Sequence, residues 1–116
     1  TFGHGIGDEV LQAIARLLML GIRDSDPCVR YGGEEFLIFL PGAAVRTAME
    51  VAERLRRSIS GHDWNRTATD LQVTASIGVA EYVEGETATQ WLERADKALY
   101  HSKNNGRNKV TQAGAA

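Results

Sequence analysis

The sequence predicts an α/β (α+β) sandwich in which a central mixed or antiparallel sheet is flanked by helices. Three observations lead there. Segments with apolar residues at helical spacing alternate with shorter apolar runs. Two of those runs are separated by a Gly-Gly pair, the signal of a β-hairpin. The chain has 116 residues, enough for one such core and too few for two.

Val10, Leu11, Ile14, Leu17 and Leu18 lie on one face of a first helix, with Asp8 and Glu9 expected in its first turn and Gly21 at its end. The polar Arg23-Asp-Ser-Asp26 follows, and Pro27 introduces a short strand from Cys28 to Tyr31. After Gly32-Gly33, the run Phe36 to Leu40 is apolar throughout and stops at Pro41-Gly42. Such a run suits a central strand buried on both faces. A second helix is expected over 44–59, burying Val45, Ala48, Met49, Ala52, Leu55 and Ile59. A polar loop covers 60–70, and Val73, Ala75, Ile77 and Val79 alternate as a strand. A third helix over 87–102 buries Trp91, Leu92, Ala95, Ala98 and Leu99 and stops at Asn104-Asn105-Gly106. An edge strand near 108–111 closes the fold, and 112–116 form a tail expected to fray.

Composition narrows the function. With 43% hydrophobic and 24% charged residues the chain is that of an ordinary globular domain. A net charge of -2 argues against binding a nucleic-acid polymer. Cys28 is the only cysteine, so it forms no internal disulfide and fits a reducing compartment. No apolar run approaches the roughly 18 residues a membrane span needs. The chain begins Thr-Phe-Gly-His without an initiator Met and is expected to be part of a longer protein.

Chemistry is concentrated at the Gly-Gly turn. Glu34 and Glu35 follow it directly, at the tip of a rigid hairpin. Glycine lets the backbone take tight turns and lets a ligand approach closely. Carboxylates there suit Mg²⁺, which is normally held by one or two of them plus phosphate oxygens. On these residues alone, a solvated turn with two surface glutamates explains the pattern as well.

The segment Arg30-Tyr-Gly-Gly-Glu-Glu-Phe36 resembles the signature of the GGDEF family, in its GGEEF variant. Phe2-Gly-His-Gly-Ile-Gly-Asp-Glu-Val-Leu11 is similar to the family's Y/F-G-H-x-x-G-D-x-x-L helix entry. Ser76-Ile-Gly-Val-Ala80 is similar to its S-I-G-V-A strand. Ala95-Asp-Lys-Ala-Leu-Tyr-His-Ser-Lys-Asn-Asn-Gly-Arg-Asn108 resembles A-D-x-A-L-Y-x-A-K-x-x-G-R-N. These motifs stand in family order across nearly the whole chain.

The resemblance implies a nucleotide-cyclase or palm-like fold over residues 1–111 and the activity of a diguanylate cyclase. In that bacterial signalling reaction two GTP molecules become cyclic di-GMP with release of pyrophosphate, using Mg²⁺ (or Mn²⁺) between two domains of a homodimer. By motif position, Glu34 would be a metal ligand and Glu35 would assist at the metal or the attacking hydroxyl. Gly32 and Gly33 would let phosphates lie against the backbone, and Asp8 and Leu11 would form the guanine pocket. Lys103 and Arg107 would clamp the outer phosphates. Asp8 is equally a first-turn helix carboxylate, and Lys103 and Arg107 are equally i, i+4 cations at a helix C-terminus. Arg30 is left to pair with a nearby carboxylate.

Arg23 and Asp26 match the family's R-x-x-D inhibitory site for cyclic di-GMP, which Arg54 would complete. An Arg fork grips phosphate or a guanine edge, and an Asp accepts from guanine N–H groups. The alternative is a surface ion pair worth little. The family also carries a strand with D-x-D-x-F-K-x-x-N-D directly upstream, which supplies a metal-binding aspartate and is absent from this sequence. Residues 1–116 alone are therefore expected to be weakly active and poorly stable, with exposed sheet edges. The resemblance further implies an upstream sensory domain and a cytoplasmic location, in a protein that can itself be membrane-anchored. A noncatalytic module that binds cyclic di-GMP or GTP is the alternative function, and a regulatory domain attached to a phosphodiesterase a weaker third.

Overall fold

Apolar helix faces and short strands sort into the expected layers in the computed structural model, which describes the backbone of residues 2–114 and the side chains of residues 5–114. Helix α1 spans Phe2–Leu20 and so begins well before Asp8. The acidic pair Asp8 and Glu9 pointed to a later start, and the glycines at 3, 5 and 7 are weak helix formers. A helix already nucleated gains a hydrogen bond for each residue it adds, which outweighs that propensity. The first turn of α1 carries no acidic residue, so Asp8 does not serve the helix dipole there.

Strands β1 (Cys28–Gly32) and β2 (Glu35–Ile38) form an antiparallel hairpin with a bulge between Arg30 and Gly32. Helix α2 covers Val45–Ser60 and buries Ala52, Leu55 and Ile59. Its N-terminus lacks a local cap, and the Val45 N–H instead donates to the Glu81 carboxylate at 3.1 Å. Strand β3 (Ile77–Val79) pairs in parallel with β4 (Val110–Gln112). Helix α3 (Ala88–Asn104) lies between them in sequence and opens with a capping box made by Thr87 and Gln90.

Among the described residues the strands make two separate two-stranded sheets rather than one central sheet. The run Phe36 to Leu40 is accordingly not a strand buried on both faces. It leaves the ladder after Ile38, all of β2 is half-buried, and Phe39 is exposed. A strand paired on one side only leaves part of its surface open, whatever its hydrophobicity. The strand expected over 73–79 is likewise paired only at Ile77–Val79, while Leu71, Val73 and Ala75 pack on the core as extended chain.

The core joins Ala13 and Leu18 of α1 to Leu55 and Ile59 of α2 and to Trp64. Trp64 sits in the stretch expected to be a polar loop. It lies in a short 3₁₀ turn, Trp64–Arg66, and its indole N–H donates to the Ile59 carbonyl at 2.7 Å. On the other side, β3 lies against α3 so closely that a Cβ on Gly78 would fall on the Ala95 carbonyl and the Leu99 backbone. Gln112 does not belong to a frayed tail: it pairs with Val79, and the next N–H, that of Ala113, donates to the Val79 carbonyl at 2.7 Å.

Candidate active site

At the hairpin tip Gly33 has a φ of 47°, a conformation that glycine adopts without steric cost. Among the described residues Arg30 pairs with no carboxylate. Its Nε donates to the Gly33 carbonyl at 2.7 Å, because the bulge carries that carbonyl back toward β1. Glu34 stands exposed on the turn, and Glu35 begins β2 with its side chain 43% exposed. Lys103, in the last turn of α3, brings its Nζ to 3.6 Å from a Glu35 carboxylate oxygen. Residues far apart in sequence thus meet at the tip.

Beside the hairpin lies a cleft of about 340 Å³ lined in part by Asp8, Leu11, Met19, Cys28, Arg30 and Phe36. Asp8 and Leu11, matched to the guanine pocket by motif, therefore share one cavity with the hairpin. Arg30 belongs to both the cleft and the turn. Burial pushes the Cys28 thiol up, which favours its protonated form. A larger groove of about 1030 Å³ runs over the outer face of α2, including Arg54 and no hairpin residue.

Lys103 and Arg107 do not share a helix face. Helix α3 ends at Asn104, and Gly106 (φ 105°), Arg107 (φ 58°) and Asn108 (φ 47°) form a left-handed turn. The sequence signal for the stop was correct, so the i, i+4 relation could not hold beyond it. The turn is anchored instead. The Arg107 N–H donates to the Ser102 carbonyl at 2.9 Å, and the Asn108 N–H donates to Ser76 Oγ at 3.2 Å. Arg56 of α2 donates to the Asn108 side chain at 2.9 Å. The Arg107 side chain makes no ion pair among the described residues. Sequence reading did not single out Ser76, Arg56 or Ser102 as supports, because each acts across elements.

Arg23 and Asp26 are more than a surface pair. Asp26 is buried, with 3% of its side chain exposed. It accepts from Arg23 Nη2 and from the Arg23 backbone N–H, both at 2.9 Å, and from Arg23 Nε at 3.2 Å. The Arg23 hydrogen bonds hold the Asp26 carboxyl below the usual carboxylate range, against the opposing effect of desolvation. Arg23 also reaches the Pro41 carbonyl at 2.9 Å, while Arg54 donates to the Gly21 carbonyl at 2.6 Å. All of them are anchored around the 21–26 turn. The Asp26 carboxylate faces Arg23 rather than solvent.

Glu34 and Glu35 supply two hard oxygen donors beside the turn, the chemistry Mg²⁺ accepts when phosphates complete its shell. No group of three or more His, Cys, Asp or Glu residues gathers among the described residues. No helix among them is long and apolar enough to cross a membrane.

The chain is similar to known proteins over nearly its whole length. The family described as "Diguanylate cyclase, GGDEF domain" matches residues 1–109. Diguanylate cyclase A of Treponema denticola is 46% identical over 112 residues, covering 96% of this chain and 30% of the relative. The chain spans less than a third of that protein's length. The active GGEEF domain of a Vibrio cholerae diguanylate cyclase superposes with a TM-score of 0.90 at 35% identity, covering 99% of this chain and 73% of that one. The diguanylate cyclase SiaD of Pseudomonas aeruginosa, solved with its activator SiaC, gives a TM-score of 0.88 at 46% identity, covering 97% and 44%. With its motifs, its hairpin and its α/β fold accounted for together, this chain belongs to the diguanylate cyclase GGDEF domain family.

Proposed function

We propose that the chain forms most of a catalytic domain, residues 1–111, that condenses two GTP molecules into cyclic di-GMP with Mg²⁺ (or Mn²⁺). The observation that carries this reading is the meeting of the Glu35 carboxylate with Lys103 at the hairpin tip, beside the cleft holding Asp8 and Leu11. A metal-binding carboxylate, a cation for outer phosphates and a base pocket are then neighbours. Asp8 accepts from guanine N1–H and the 2-amino group, and Leu11 packs on the base. Glu34 and Glu35 would hold the metal, which when bound would polarise the phosphates and favour ionisation of the attacking hydroxyl. Gly32 and Gly33 keep the turn open to phosphate, and Lys103 and Arg107 take the β- and γ-phosphates.

In each half-reaction a 3′-hydroxyl attacks the α-phosphorus of the GTP held by a facing copy. The new 3′ O–P bond forms as the bond to pyrophosphate breaks, and the hydroxyl proton passes to water. Holding the two reactants in line supplies much of the rate. A homodimer of such domains closes the ring, with an upstream sensory domain controlling the encounter in the cytoplasm. Product inhibition through Arg23, Asp26 and Arg54 belongs to the same reading, supported by their common anchorage at the 21–26 turn. A Caulobacter crescentus GGDEF domain solved in complex with c-di-GMP, at a TM-score of 0.90 and 36% identity, is consistent with it.

The test is to incubate the full-length protein with GTP and Mg²⁺ and chromatograph for cyclic di-GMP, with Glu34→Ala as control. Product from the wild type alone is expected. No product, with cyclic di-GMP still bound, would instead support a sensor module. For the inhibitory site, Arg23→Ala should raise the concentration of cyclic di-GMP needed to inhibit, and an unchanged inhibition curve would remove that part of the proposal.

A further inference from the structure

Ser102 has no exposed surface at all, and among the described residues only one other polar or charged residue, Asp26, is buried. Its hydroxyl donates to the Ile77 carbonyl of β3 at 3.1 Å and lies 2.6 Å from the Thr111 hydroxyl of β4. The last turn of α3 is thereby tied to both strands of the parallel pair. Its carbonyl accepts from the Asn105 N–H at 3.4 Å and the Arg107 N–H at 2.9 Å. Lys103 follows it directly and reaches Glu35. One buried residue therefore carries the attachments of both cations: its side chain fixes the helix turn bearing Lys103, and its carbonyl fixes the turn bearing Arg107.

We infer that Ser102, through its hydroxyl pair with Thr111, is a positioning residue for the outer phosphates of the nucleotide, a role that rests on Lys103 and Arg107 being the phosphate ligands. Two long cationic side chains bind a triphosphate well only when their backbone anchors are held, since each frozen rotamer costs binding energy. Ser102 and Thr111 do not touch the ligand. They act through Lys103 and Arg107 and leave the base pocket, on α1, unaffected.

Calorimetric titration of the full-length protein with Mg²⁺ tests this, using two probes. One is a GTP analogue with an α,β-methylene bridge, which cannot release pyrophosphate, and the other is GMP, which lacks the outer phosphates. Ser102→Ala and Thr111→Val are each expected to weaken the triphosphate about threefold to tenfold, the worth of one net hydrogen bond, and to leave GMP unchanged. Thr111→Ser keeps the hydroxyl and should bind both probes like the wild type. Loss of affinity for both probes alike would assign Ser102 a merely structural role and overturn the inference. So would unaltered triphosphate affinity in Ser102→Ala and Thr111→Val when Lys103→Ala binds the analogue weakly. Unaltered affinity in Lys103→Ala itself would overturn the phosphate-ligand assignment and the inference with it.

Discussion

Gly78→Ala places one methyl group where β3 meets α3, and its cost follows from what that methyl would touch. The added Cβ overlaps the Ala95 carbonyl and the Leu99 amide and Cα, all main-chain atoms of α3. A flexible side chain could rotate away. Backbone atoms in the middle of a helix cannot, so β3 or α3 must shift as a unit. Overpacking of a core costs about 1–3 kcal/mol when side chains can adjust, and a backbone clash belongs at or beyond the top of that range. Against a total stability of about 5–15 kcal/mol, a loss of about 3 kcal/mol is severe. At roughly 4 °C per kcal/mol for a chain of this size, Tm should fall by about 12 °C.

The assay is urea denaturation followed by far-ultraviolet circular dichroism, with the slope of the transition checked for two-state behaviour. Gly85→Ala serves as a control. Gly85 has a φ of 90° and open space around it, so alanine there meets strain without a clash. A loss of about 1–2 kcal/mol is expected for that strain alone. If Gly78→Ala cost no more than Gly85→Ala, the close approach of β3 to α3 would be refuted. The displaced α3 should also separate Lys103 from Glu35, so nucleotide affinity should fall in the same variant.

Ile59→Ala empties a site that is only 2% exposed and should cost about 2–5 kcal/mol, read as a lower urea midpoint. Lys103→Ala should change stability by less than about 0.5 kcal/mol, because its 3.6 Å ion pair with Glu35 is partly exposed, while abolishing most cyclase activity. Glu53 accepts hydrogen bonds from Arg56 and Arg57, and chiefly the Arg56 bonds lower its carboxyl from 4.5 to about 2. In that window the unfolded chain binds more protons than the folded one, so stability is fully present above pH 4.5 and is lost as pH falls toward 2. Glu53→Gln should flatten the dependence of the urea midpoint on pH there, and an unchanged slope would assign it to other carboxylates.

Local signals in the sequence were sound wherever a segment's own chemistry decides its structure. The Gly32-Gly33 turn, the faces of α1 and α2 and the stop after Asn104 all depend on neighbours along the chain, and each forms as read. Helix α1 starts earlier than the acidic pair Asp8 and Glu9 suggested, because a nucleated helix extends cooperatively. The hairpin was legible while its burial was not: the number of strands that flank a strand is not written in its own residues. Trp64 escaped notice because a single aromatic in a polar stretch carries no periodicity, and only the 3₁₀ turn directs it inward.

For the candidate site the division is similar. Motifs and their order determined the family, the two carboxylates at the hairpin tip and the cations near the end of α3, because glycine turns and charged residues at set spacings leave a linear trace. Tertiary structure alone decided that Arg30 holds the Gly33 carbonyl, that Lys103 meets Glu35, and that Arg107 leaves the helix on a turn hung from Ser102. It also decided that Asp26 is buried under Arg23 instead of lying at the surface. These are contacts between groups whose separation is set by the packing of α3 on the β3–β4 pair and by the bulge in β1. No local pattern encodes such a distance, since it is the sum of how whole elements fit together.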